Sequence, residues 1–187
     1  DYQELKFDLL LVDNDGGSLA TEIKNGLRQS KNFNVVDSID GKPLGEQTLR
    51  KLLNNGDYHV GILIPKGATA EVVNAANLIA NDLSKKLGLG GSLPARESRN
   101  TSYVRMFFDP VSKPTFRTSI SFALDRFVTY ACSNLLVQRI GKMSKLAGDT
   151  STPSANFKTV LQGIAITEEA VNEQTTNNAH INSVQHN

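Results

Sequence analysis

The residues best placed to do chemistry are two carboxylates one residue apart, in Asp13-Asn14-Asp15-Gly16-Gly17-Ser18. They follow the apolar run Phe7-Asp8-Leu9-Leu10-Leu11-Val12, so a strand ends in Asp-x-Asp. At that spacing an aspartate-nucleophile phosphotransferase attacks phosphorus with its first carboxylate and holds magnesium with both. Such chemistry also needs a lysine and further acids from later loops. After the next long apolar strand the chain offers Ile64-Pro65-Lys66-Gly67, with no acid before Glu71. A calcium loop fits less well still, because Asp-x-Asp-x-Asp-Gly and the glutamate at position twelve are missing. The expectation is structural: Asp13 and Asp15 accept backbone amides of the turn or of the following helix, Gly16 and Gly17 make the turn, and Ser18 caps the helix. No catalytic, cofactor-binding or metal-binding residue is assigned.

Other chemical signals are weaker. Leu87-Gly88-Leu89-Gly90-Gly91 has the glycines of a phosphate loop, but it follows a helix and opens a linker, the reverse of what such a loop requires. Lys85, Lys86, Arg96, Arg99 and Arg105 surround it as a solvated surface would. His59, His180 and His186 lack metal-ligand spacing. Cys132 sits inside a long apolar-periodic segment with no evident base, the setting of a packed small hydrophobe. Phe116, Phe122 and Phe127 read as core and flank of that same segment.

The elements that position these residues alternate strand and helix. The run from Phe7 is continuous rather than alternating, which suits an interior strand covered on both faces. Leu19, Ile23 and Leu27 give the first helix its stripe, and Phe33-Asn34-Val35-Val36 a second strand. Asp40-Gly41-Lys42-Pro43 is turn chemistry, and Leu49, Leu52 and Leu53 mark a helix over about 45–54, stopped at Gly56. His59-Val60-Gly61-Ile62-Leu63-Ile64 is a third strand. Thr69 can cap a third helix carrying Val72, Ala76, Ile79, Leu83 and Leu87 and ending at Gly88. Residues 88–101 read as a mobile linker, Tyr103 to Phe108 as a fourth strand, and 115–146 as one long helix entered near Pro114. The type of 157–171 is left open, and 172–187 is a polar, asparagine-rich tail. The predicted fold is α/β: a mostly parallel sheet of four strands in order 2-1-3-4, helices on both faces, and one long helix in the C-terminal half. Residues 1–171 form a single domain.

Composition bounds the function. The 187 residues are 39% hydrophobic, enough for one core, and 20 Lys plus Arg against 19 Asp plus Glu leave a net charge of +1. That balance gives no case for nucleic acid. One cysteine cannot form an internal disulfide. No stretch approaches the roughly 20 apolar residues of a membrane helix, and the start at Asp1-Tyr2-Gln3 without methionine reads as a cut from something larger.

The order of signals over residues 9–140 resembles the large extracytoplasmic segment between the first two membrane helices of ABC type-2 exporter permeases. The matching pieces are Leu10-Leu11-Val12-Asp13-Asn14-Asp15 with Ser18-Leu19, Phe33-Asn34-Val35-Val36, Leu52-Leu53-Asn54-Asn55-Gly56, Val60-Gly61-Ile62-Leu63-Ile64-Pro65-Lys66-Gly67, and Phe107-Phe108-Asp109-Pro110. Asn182-Ser183-Val184-Gln185-His186-Asn187 is similar to the segment before the second membrane helix. Departures are Ala68 where the family commonly has an aromatic, Asp109-Pro110 for the usual Asp-Gly, and a long stretch from Ala70 to Thr101. The resemblance implies a non-enzymatic domain facing the periplasm or cell exterior at a bacterial cytoplasmic membrane, with 172–187 as a juxtamembrane tail. It implies a separate ATP-binding subunit that this domain does not touch, a second permease copy, and an outer partner or cargo of unspecified kind. Both chain ends must then reach one membrane plane. The competing readings are a small aspartate-dependent phosphotransfer or receiver-like enzyme and a soluble ligand-binding module.

Overall fold

The structure, a computed structural model, describes residues 6–97, 102–146 and 165–170. Strand β1 (Phe7–Asp13) is the axis of the fold. It lies between β2 (Phe33–Val36) and β5 (Val60–Ile64), parallel to both. Its continuous apolar run has the predicted cause: Leu9 and Leu11 enter one core cluster, Leu10 and Val12 the other. Each buried leucine stabilises by roughly 1.5–3 kcal/mol relative to exposure, so neither face is dispensable.

One face of the sheet is covered by α1 (Ser18–Gln29), α3 (Ala68–Leu87) and α4 (Pro114–Leu146). The 33 residues of α4 extend about 50 Å. Ile120, Leu124, Val128, Ala131, Leu135 and Ile140 form its inward stripe, and Phe122 lies outside it, mostly exposed. Phe116 and Phe127 flank the core, edge-on to Phe108 and Phe33 respectively. Cys132 is fully buried, and burial pushes its thiol up to about 12. The opposite face carries α2 (Glu46–Asn54), whose Leu49 and Leu53 pack on Leu10, Val12, Leu63 and Phe107. Between β2 and α2, the segment read only as a turn closes a small hairpin of β3 (Ser38–Ile39) and β4 (Lys42–Pro43). Asp40 and Gly41, both at positive φ, form its two-residue loop.

The sheet departs from the predicted one in two ways. Among the described residues it has five strands, not four, in order β2-β1-β5-β6-β7, with β7 (Ala165–Ala170) added beyond β6 (Ser102–Phe108). It is also mixed: β6 runs antiparallel to β5, and β7 is parallel to β6. The open assignment of 157–171 resolves at its described end as an edge strand.

The reversal at β6 has a physical cause in the stretch expected to be a mobile linker. From Gly91 to Arg96 the chain lies back along α3, hydrogen-bonded to a polar stripe on that helix. Ser84 Oγ donates to the Gly91 carbonyl (2.9 Å). Asn81 pairs with both the amide and the carbonyl of Leu93 (2.7 and 2.8 Å). Asn77 donates to the Pro94 carbonyl (2.8 Å), and Asn74 pairs with the amide and carbonyl of Arg96 (2.7 and 2.8 Å). These side chains, three or four residues apart, share one face of α3. The returning strap delivers the chain to the far end of the sheet, so β6 must run down where a short connection would have sent it up. Residues 98–101 of the predicted linker, the tail 172–187 and the two chain ends lie outside the described residues.

Candidate functional site

At the carboxyl ends of β1 and β5, the amino ends of α1 and α3 meet. Asp13 Oδ1 accepts the amides of Asp15 (3.0 Å) and Gly16 (2.8 Å), and its Oδ2 pairs with Lys24 Nζ at 2.9 Å. Burial works to raise the Asp13 carboxyl. Hydrogen bonds from the Gly16 amide, from Lys24 and from the Asp15 amide outweigh it and hold the group below its ordinary value. Asp15 Oδ2 accepts the Gly17 amide (3.0 Å) and the Thr69 hydroxyl, and Oδ1 accepts the Thr69 amide (3.2 Å). Thr69 Oγ1 in turn accepts the Leu19 amide at 3.0 Å.

The caps are therefore exchanged between the two helices. Asp15, before α1, serves the first turn of α3, and Thr69, in the first turn of α3, serves α1. Each satisfies an amide that a helix start leaves without an internal partner. Ser18 does not cap α1: it is the first helical residue, exposed, and the position before it is Gly17. Thr69 likewise caps its neighbour rather than its own helix, which follows Gly67. Gly16, at φ +69°, turns the chain in open space, while Gly17 is fixed by proximity. A Cβ there would stand 2.4 Å from Thr69 Oγ1 and 2.7 Å from Asp15 Oδ2. The sequence brings Asp13, Asp15, Gly16 and Gly17 together; it gave no sign of Lys24, or of Thr69 reaching across.

In this arrangement both carboxylates are held by the chain's own donors. Three donors reach Asp13 and three reach Asp15, all from the chain itself. Among the described residues no group of three or more His, Cys, Asp or Glu side chains could hold a metal ion.

A second polar cluster lies at the other end of the sheet. His59 Nδ1 is 2.7 Å from Asp109 Oδ2, and Ser112 Oγ donates to Asp109 Oδ1. Arg117 Nη2 donates to the Asp109 carbonyl at 3.3 Å. Serine, aspartate and histidine are all present, but the hydroxyl and the imidazole both bond to the carboxylate. Nucleophilic catalysis needs the hydroxyl on the imidazole with the carboxylate behind it. This cluster instead closes the turn after β6 and ties it to the start of α4. Sequence reading missed it, although the antiparallel register that sets Val60 against Phe108 also puts His59 beside Asp109.

Three of the remaining basic candidates are paired internally. Lys86 pairs with Asp82 at 3.0 Å, Arg96 with Glu71, and Arg105 with Glu46 at 3.1 Å. Burial works to raise Glu46, but Arg50 and Arg105 outweigh it and lower the group. Arg99, His180 and His186 lie outside the described residues. Gly88 and Gly90 take positive φ where α3 ends and the strap begins. They help line an open depression of about 510 Å³ with Asn81, Ser84 and Lys85. No helix among the described residues is long and apolar enough to cross a membrane.

No protein-family model and no curated protein matches this chain. A solved structure, described as a domain of an ABC type-2 transporter from Thermotoga maritima MSB8, overlays it with a TM-score of 0.42 at 11% identity, covering 96% of this chain and 99% of that one.

Proposed function

We propose that this chain is a non-catalytic extracytoplasmic domain of the permease subunit of a bacterial ABC exporter, inserted between two neighbouring membrane helices. The observation that carries the reading is where the chain enters and leaves its sheet. Leu9 is in register with Val60, Val60 with Phe108, and Phe108 with Ala170. The start of β1 and the end of β7 thus lie on one row across the sheet, three strand spacings apart. At about 4.8 Å per spacing that is roughly 14 Å, within reach of two helices packed about 8–10 Å apart in one membrane. A domain inserted in a loop between such helices needs both connections at one pole. The quoted residue series supports the same reading: Asp13 to Asp15, Ile64 to Gly67, and Phe107 to Pro110 all fall at strand ends of this sheet.

On this reading ATP is hydrolysed by a separate subunit on the other side of the membrane, and a second permease copy completes the exporter. The domain faces the periplasm or cell exterior.

Membrane-impermeant maleimide labelling of the full-length protein in intact cells tests the placement. Cys132 is silent, being fully buried with its thiol pushed up to about 12. A cysteine introduced at exposed Lys51 (Lys51→Cys) is expected to label without lysis. Labelling only after the cells are opened would reverse the orientation.

A further inference from the structure

The strap along α3 is held in an unusual way: the helix reads its backbone and largely ignores its side chains. Asn81 and Asn74 each take both the amide and the carbonyl of one strap residue, Leu93 and Arg96. Ser92, Pro94 and Ala95 are exposed. Only Leu93 is buried, and only Arg96 makes an ion pair, with Glu71. Between the two paired asparagines stands an incomplete one. Asn77 is 5% exposed and donates to the Pro94 carbonyl, yet its Oδ1 has no partner. In the pattern of its neighbours that oxygen would accept the amide of residue 94, and proline has none. A buried acceptor left unmatched is costly, so the groove is better shaped for another chain than for the one it holds.

We propose that the α3 face bearing Asn74, Asn77, Asn81 and Ser84 is a backbone-reading groove for an extended segment of a partner protein, occupied here by the chain's own residues 91–96 as an imperfect intramolecular ligand. The occupant it fits is Leu-x-x-Arg with any residue but proline in the second place. The leucine fills the Leu93 position, the arginine meets Glu71, and the second residue supplies the amide that Asn77 lacks. Paired amides recognise any extended backbone, as added strands do at sheet edges. The strap competes at an effective concentration of the order of millimolar, which makes the exchange a displacement rather than a vacancy being filled. The inference does not depend on the exporter reading.

The test uses the whole chain and two peptides, Gly-Ser-Leu-Ala-Ala-Arg-Glu and its twin with proline in the fourth place. The readout is amide exchange at Leu93 and Arg96. At about 5 mM the alanine peptide is expected to speed exchange at both amides by about tenfold, by expelling the strap, with the proline twin about tenfold less potent. Exchange unchanged by either peptide, or two peptides of equal potency, overturns the proposal. A second measurement needs no peptide: Pro94→Ala supplies the missing amide in place and should slow exchange at Leu93 and Arg96 about tenfold. Unchanged or faster exchange in that variant removes the argument from Asn77.

Discussion

Two polar networks hold this molecule's backbone in place, and they differ in how they do it. At the carboxyl ends of β1 and β5, Asp15 and Thr69 lock two helix starts together over a few ångströms, around a glycine that tolerates no side chain. Along α3, three asparagines and a serine hold a returning segment by its peptide groups over three turns of helix. The first network uses charge and close contact and joins elements that are already neighbours. The second uses neutral amides and holds the return segment that gives a strand its direction. Acids beside glycines suggest chemistry and here serve as caps, while mid-helix asparagines suggest nothing and here set the direction of a strand.

The contrast is sharpest in the ladder. Asn74→Ala with Asn81→Ala removes four hydrogen bonds to the strap and is expected to cost about 3–4 kcal/mol, read from the urea midpoint at constant slope. A loss below about 1 kcal/mol would mean the strap merely leans on the helix. Gly17→Ala drives a methyl into Thr69 and Asp15 and is expected to cost about 2–3 kcal/mol. Adding Thr69→Ala should then cost less than it does alone, because the same junction is already open. Full additivity would separate Gly17 from the caps. The smallest effect concerns Asp13, whose folded pKa lies below its ordinary 3.8. Its contribution is complete above the unfolded value and is lost as pH falls through the lowered one. Acid unfolding followed from pH 5 to about 2 should therefore be shallower in Asp13→Asn than in the wild type, and parallel curves would show that Lys24 and the turn amides contribute nothing.

What the sequence made legible was local. The unbroken run from Leu9 to Val12 announced a strand buried on both faces, and the apolar spacing over 115–146 announced a long packed helix, because such spacing reports the element's own geometry. Pairings chosen by distant residues stayed hidden. Ser18 looks like a cap, but the hydroxyl that serves α1 comes from Thr69, 50 residues away. The strap that turns β6 round is held by Asn74, Asn77 and Asn81, which in a helical reading fall on the polar side away from the apolar stripe. The edge strand β7 escaped because Ala-Ile-Thr-Glu-Glu-Ala carries no run of apolar residues for a core to demand.

The strap also settles a matter of parity. Each pass through the domain carries the chain from one pole to the other: β1, α1, β2, α2, β5, α3, strap, β6, the return through α4, and β7 make ten passes, an even number. Remove the strap while keeping every other element, and the count becomes odd, so the chain would leave at the pole opposite the one where it came in. A handful of side-chain amides on one helix thus determines whether this domain is a loop that can be grafted onto a single surface or a spacer that can only stand between two.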